Sequence, residues 1–304
     1  MDRHDHAHEH EHDHDHERRK PLKLAIILTA IIFVAEVIGG IISGSLSLLG
    51  DAAHMLQDVV ALTLSLGAMI IAERLPTPTK TFGYHRIEIA AAVVNGLLLI
   101  GVSGVIIWEA FLRFSNPQPV NSTTMLVIAV IGLVANLVAA FFLHGSHDLN
   151  IRSAFLHVLG DTLSSVAVIA AAVWIAFTGQ TFVDPLLGLV IAIVILVSSF
   201  SILKDSFRIL LQFSPRDVAV ADVIAAMESV PGVSGVHNVH LWTLCSNINV
   251  LDAHVYCCEA DPEVQEKIKA DIRKRLEPFR IGHSTLEFEC RECSDSRVLR
   301  ELHD

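Results

Sequence analysis

Two short polar interruptions lie in otherwise apolar stretches: His54-Met55-Leu56-Gln57-Asp58 and His157-Val158-Leu159-Gly160-Asp161. In each, a histidine precedes an aspartate by four residues, the spacing that puts both side chains on one helical face. Each flanking stretch is apolar enough to cross a bilayer, where a buried aspartate costs about 2.5–3.5 kcal/mol on insertion scales. Two pairs with the same spacing point to a single site, in which two helices supply His54, Asp58, His157 and Asp161 to a metal ion.

Two imidazoles and two carboxylates form a tetrahedral N2O2 set that suits Zn2+. Mg2+ and Ca2+ favour all-oxygen shells of six or more ligands, and Cu+ favours sulfur. Cd2+, Co2+ and Ni2+ remain compatible with the set. Four ligands leave no vacancy for a catalytic water, and neither motif carries the glutamate of a His-Glu-x-x-His hydrolase. An enzyme is therefore not expected. Titrating ligands suit a carried ion instead, because protons and metal compete for the same lone pairs.

Helices must hold these residues at membrane depth. Hydrophobic residues make up 52% of the 304-residue chain and charged residues 18%, against roughly 25% charged in an average soluble domain. The apolar excess lies between about 22 and 206, in six stretches near the ~20 residues a span requires. They fall at about 22–43, 47–72, 87–112, 123–145, 152–177 and 183–204. Arg74, Lys80, Arg86, Arg152, Lys204 and Arg208 cluster on one set of connections, so the positive-inside rule puts both termini in the cytoplasm. Glu36, Asn95, Glu109, Asn136 and Asp184 are expected to face neighbouring helices or the interfaces. Asp51 shares a helical stripe with His54 and Asp58, as a neighbour of the site or part of its access path.

Outside these spans the chain reads as polar. Residues 1–20 alternate histidine (His4 to His16) with Asp and Glu and end in Arg18-Arg19-Lys20, a composition that builds no core and can capture metal loosely. From 209 to 304 the pattern α-β-β-α-β is expected: helices at about 217–229 and 261–276, strands at about 233–244, 248–257 and 284–290. The fold class is thus an α-helical membrane protein, with a tail at 1–20, a six-helix transmembrane domain at 21–208 and a cytosolic α+β domain of ferredoxin-like type at 209–304. All five cysteines fall in that last domain, and their odd number argues for reduced thiols. The net charge of −11, without a basic patch, speaks against nucleic acid as a partner.

Several stretches together resemble the cation diffusion facilitators. The run from Ser43 to Asp58 is similar to their second transmembrane helix, and Phe82-Gly83-Tyr84-His85-Arg86 to the loop entering their third. His157 to Asp161 resembles their fifth helix, and Val236-His237-Asn238-Val239-His240-Leu241-Trp242 the first strand of their cytosolic domain. The resemblance extends over the chain after residue 20. It implies a proton-coupled zinc exporter of the cell membrane, a homodimer with alternating access, with His54, Asp58, His157 and Asp161 as transport ligands. It also implies cytosolic, regulatory Zn2+ ligands at His237, His254 and His283, with Glu289, Cys290 and Cys293 as completing candidates, and a relay ligand at His85. His240 is expected to be structural, and His144, His147 and Asp148 to lie in a solvated loop. Two other readings compete: Cd2+, Co2+ or Ni2+ as main cargo, and a membrane metal sensor that does not transport.

Overall fold

The computed structural model describes residues 26–72, 76–143, 149–245 and 248–290. It divides into two compact units, one of 1–73 with 91–203 and one of 74–90 with 204–304. The segment 74–90, between the second and third helices, groups with the C-terminal residues, a division the sequence pattern did not suggest.

Over the described residues the first unit is built from six helices. They are α1 (Ile26–Ser43), α2 (Leu46–Ala72), α3 (His85–Ser115), α4 (Ser122–Leu143), α5 (Leu149–Thr178) and α6 (Val183–Leu210); α3 begins and α6 ends within the residues grouped in the second unit. Four of them, α1, α3, α5 and α6, are long and apolar enough to cross a membrane over their described residues, and α4 is a shorter apolar helix. Its polarity is inverted relative to a water-soluble bundle. Trp108, Phe177 and Phe200 are exposed, whereas Glu36, Asp51, Asn95, Asn136 and Asp184 are buried, as expected where lipid is the solvent and polar groups must turn inward.

The helix α2 packs on both sides. Leu46 and Ala53 join Leu99 and Ile106 of α3 and Ile195 of α6, while Leu48 joins Met125 of α4 and Val168 and Ala172 of α5. Its start is fixed by two devices. Gly44, at φ +70°, takes the left-handed turn between α1 and α2 that a side chain would disfavour. Asp184, fully buried on α6, then accepts hydrogen bonds from the Leu46 and Ser47 amides (2.7 and 3.1 Å) and from the Ser45 and Ser47 hydroxyls (2.6 and 2.7 Å). A carboxylate at a helix N-terminus satisfies orphan amides and meets the positive end of the dipole. Arg113 of α3 balances the charge, 3.8 Å from Asp184 and 2.9 Å from Glu109.

The second unit contains α7 (Val220–Glu228), β1 (Gly235–Cys245), β2 (Ile248–Tyr256), α8 (Pro262–Leu276) and β3 (Ile281–Glu289). The sheet order is β1-β2-β3, with β1 antiparallel and β3 parallel to β2. A parallel neighbour requires a crossover, which α8 supplies. The α8 start is capped by Asp261, which accepts from the Glu263 amide, with Pro262 in the first turn. Val223 and Met227 of α7 and Ile268, Ile272 and Leu276 of α8 pack on Leu241, Leu251, Ala253 and Val255. The other sheet face carries no helix among the described residues. Strand β3 starts three residues before its expected position, because Arg280 turns through a left-handed conformation (φ 54°) and its carbonyl already accepts from the Asn249 amide.

Candidate metal centres

The membrane cluster draws on α2 and α5. His54 and Asp58 lie one turn apart on α2, and Asp161 lies on α5. One ligand-type atom from each of the three lies within 4.8 Å of the others, and His54 Nε2 is 3.3 Å from Asp161 Oδ1. Asp161 is buried, whereas His54 and Asp58 are partly accessible. The helical backbone of α5 includes His157, one turn before Asp161; the His157 side chain lies outside the described residues. Imidazole nitrogen and carboxylate oxygen atoms at this spacing fit a Zn2+-sized cation better than a hard all-oxygen shell.

Asp51 sits one turn from His54 and is buried, with Oδ1 accepting from Ser164 Oγ at 2.6 Å. Sequence reasoning marked Asp51 but missed Ser164. Its spacing from Asp161, three residues on the same helix, was the available signal.

A second cluster lies on the open face of the sheet. His237 of β1, His254 of β2 and Glu289 of β3 place ligand-type atoms within 4.8 Å of one another. Glu289 stands between the rings: Oε1 is 2.6 Å from His254 Nδ1 and Oε2 is 3.3 Å from His237 Nε2. The far side of His254 meets Asn238 Nδ2 at 3.0 Å and Glu287 Oε2 at 3.5 Å. Tyr256 stacks on His237 with ring centroids 4.4 Å apart. The register shifts between His237 and His240, where Asn238 adopts φ 49°. Such a bulge re-aims neighbouring side chains, and here it sits beside the cluster. Asn238, Tyr256 and Glu287 were not foreseen, since β alternation marks Tyr256 and Glu287 only as face residues and gives no sign of a bulge.

The other expected ligands do not gather there. His283 pairs with Val250, six residues back from Glu289 along β3, or about 20 Å at strand rise. Its ring instead meets Phe82 edge-on, with centroids 5.6 Å apart. Cys290 is exposed just past β3, beside Cys258, whose Sγ donates to the Cys290 carbonyl at 3.0 Å. Hydrogen bonding to Cys290 pushes the Cys258 thiol up from its ordinary value. Cys293 lies outside the described residues, as do His144, His147 and Asp148. His85 opens α3 and belongs to neither cluster among the described residues. His240 is paired opposite Asp252 on the sheet.

The comparisons with known proteins agree with this layout. Residues 22–211 match the cation efflux transmembrane domain, and 215–284 match the cation efflux protein cytoplasmic domain. The chain is 41% identical over 276 residues (89% of each chain) to a cadmium, cobalt and zinc/H(+)-K(+) antiporter of Bacillus subtilis. It is 40% identical over 288 residues (93% of this chain, 90% of the relative) to the metal cation efflux system protein CzcD of Cupriavidus metallidurans. Against the zinc transporter ZitB of Escherichia coli it is 38% identical over 295 residues (95% and 93%). An integral membrane unit with histidine and carboxylate groups converging between α2 and α5, followed by an α+β cytoplasmic domain, is the architecture of a metal-cation efflux transporter, and the chain belongs to the cation efflux, or cation diffusion facilitator, family.

Proposed function

We propose that the protein exports Zn2+ from the cytosol in exchange for protons, through a tetrahedral site formed by His54, Asp58, His157 and Asp161. The observation that carries this reading is the convergence of His54, Asp58 and Asp161 between α2 and α5. Cytosolic Zn2+ enters the deprotonated site. The site then opens outward, and protons reaching its imidazoles and carboxylates displace the ion. Return with protons bound completes alternating access. Both termini are cytoplasmic, in the cell membrane, with domains at 1–20, 21–208 and 209–304. The protein acts as a homodimer through its cytoplasmic domain. The His-rich tail concentrates metal near the cytosolic opening.

His237, His254 and Glu289 fit a regulatory Zn2+ in the cytosol, since two imidazoles and a carboxylate already converge there. Bound metal would cross-link all three strands, holding the sheet face in one arrangement. Asn238 and Glu287 orient the His254 ring.

The test is metal-driven proton flux in proteoliposomes. His54→Ala and Asp161→Ala should each abolish it while the purified protein still folds; wild-type flux in both would overturn the assignment. A broader cargo has one specific support: the Bacillus subtilis relative is named for cadmium and cobalt as well as zinc. Uptake of Zn2+, Cd2+, Co2+ and Ni2+ under one pH gradient decides between them. Binding without uptake would favour a sensor.

A further inference from the structure

The membrane unit holds a carboxylate that the transport reading does not use. Glu36, on α1, is 2% exposed, and its Oε2 has no hydrogen-bond partner. Its Oε1 faces α4 at Gly132, where an added Cβ would come within 2.8 Å of it and 3.8 Å of Ser165 Oγ. The charges that act on Glu36 are those of Asp51 from α2 and Asp161 from α5; α4 contributes none at Gly132. An ionised carboxylate this deep, facing like charges, is costly unless a cation or a proton joins it.

The pairings fix where this group lies relative to the metal cluster. His54 meets Asp161, and Asp51 meets Ser164. Moving back three residues along α2 therefore matches moving forward three along α5, so the helices are antiparallel there. Asp51, Ser164 and Ser165 form a layer displaced by about one turn, roughly 5 Å, from the His54 cluster. With cytoplasmic termini this layer is on the outer side, a placement that rests on the reading proposed above.

We infer that Glu36 and Asp51, with Ser164 and Ser165, form a second cation station, which receives the exported divalent metal ion as it leaves the His54, Asp58 and Asp161 cluster. The donors are carboxylate and hydroxyl oxygens with no imidazole, so the station holds Zn2+ more weakly than a site with nitrogen ligands. Conduction through successive sites needs that order: tight enough to accept the ion, weak enough to release it. Gly132 leaves room for the Glu36 carboxylate beside α4.

Equilibrium Zn2+ titration of the purified full-length protein and stopped-flow Zn2+ transport in proteoliposomes test this. Glu36→Gln should lose a weak binding step while the tight step stays within about threefold, and should lower kcat about tenfold or more with KM little changed. Gly132→Ala, which displaces the flexible end of Glu36 without removing charge, should lower kcat in the same direction, and Glu36→Asp should recover part of it. Unchanged kcat in Glu36→Gln overturns the station. So does a lost kcat with the weak binding step intact, the result expected of a group that carries only a proton. Absence of transport by the wild-type protein would refute the exporter reading instead, and the weak binding step would still decide whether the station exists.

Discussion

Asp184→Asn is the most informative single change for the architecture that holds the membrane cluster. The carboxylate is fully buried, and Oδ1 accepts from Ser45 Oγ, Ser47 Oγ and the Ser47 amide, while Oδ2 accepts from the Leu46 amide at 2.7 Å. An asparagine oxygen in the Oδ1 position keeps three donors. Its NH2 group then faces the Leu46 amide, donor against donor, with the Arg113 guanidinium 3.8 Å from the same position. The lost charge-assisted bond costs about 1.5–3 kcal/mol, and the part-buried Arg113 loses some of its compensation, so the total approaches but stays under the roughly 3–5 kcal/mol of a broken buried pair. Arg113 retains Glu109 and the Gly44 carbonyl, which keeps the figure below that of a fully orphaned charge. Thermal unfolding in detergent should shift down on the order of 10 °C. Ser45→Ala, which removes one donor to Asp184 and the acceptor of the Leu48 amide, should cost about 1–2 kcal/mol. If Asp184→Asn unfolds within a degree or two of wild type, the α2 start is not held as described.

The remaining predictions concern the cytosolic unit. His254→Ala should weaken Zn2+ binding to the cytoplasmic domain by about 100-fold or more, judged from the 10–100-fold typical of losing an outer-shell partner, while transport at saturating metal persists; titration of binding checks this. Cys258 should alkylate slowly at pH 8, because a raised pKa means less thiolate at a given pH; maleimide labelling rates measure this. Asp261→Ala should destabilise the unit containing α8 by about 0.5–2 kcal/mol through the lost cap, read as a lower denaturation midpoint.

What the sequence made legible depended on the reach of each signal. The paired His-x-x-x-Asp motifs have one simple period, and a helix converts that period directly into a shared face; His54, Asp58 and Asp161 accordingly converge. The order α-β-β-α-β was readable because each element carries its own alternation or amphipathic stripe. Asp184 was readable only as a polar residue in a span. Its role depends on Ser45, Leu46 and Ser47, some 138 positions away along the chain, and no local pattern encodes that pairing. The grouping of His237 and His254 with Glu289, while His283 packs on Phe82, depends on the parallel register of β2 and β3. Closeness in sequence suggested that His283 acts with the Cys290-x-x-Cys293 pair; an extended strand separates His283 from Cys290 instead. The Asn238 bulge is a single-residue backbone event, which alternation cannot announce.

In the export cycle proposed above, the Asp184 anchor also bears on how the membrane cluster would release an ion. His54 lies eight residues and Asp58 twelve beyond Leu46, or about 12 and 18 Å along α2 at helical rise. A tilt of about 5° around the anchored end therefore moves these ligands sideways by roughly 1–1.5 Å. Coordination distances tolerate only about 0.2 Å, so a small rotation of a rigid helix is enough to dismantle the site without unfolding any part of it. The same lever explains why buried charge is worth its cost at Asp184. A capping hydroxyl could satisfy one or two donors, but a carboxylate held by four donors and balanced by Arg113 makes a stiffer pivot. The pivot end and the ligand end of α2 are then coupled through its length, and Asp184→Asn should weaken Zn2+ affinity at a cluster that Asp184 does not touch.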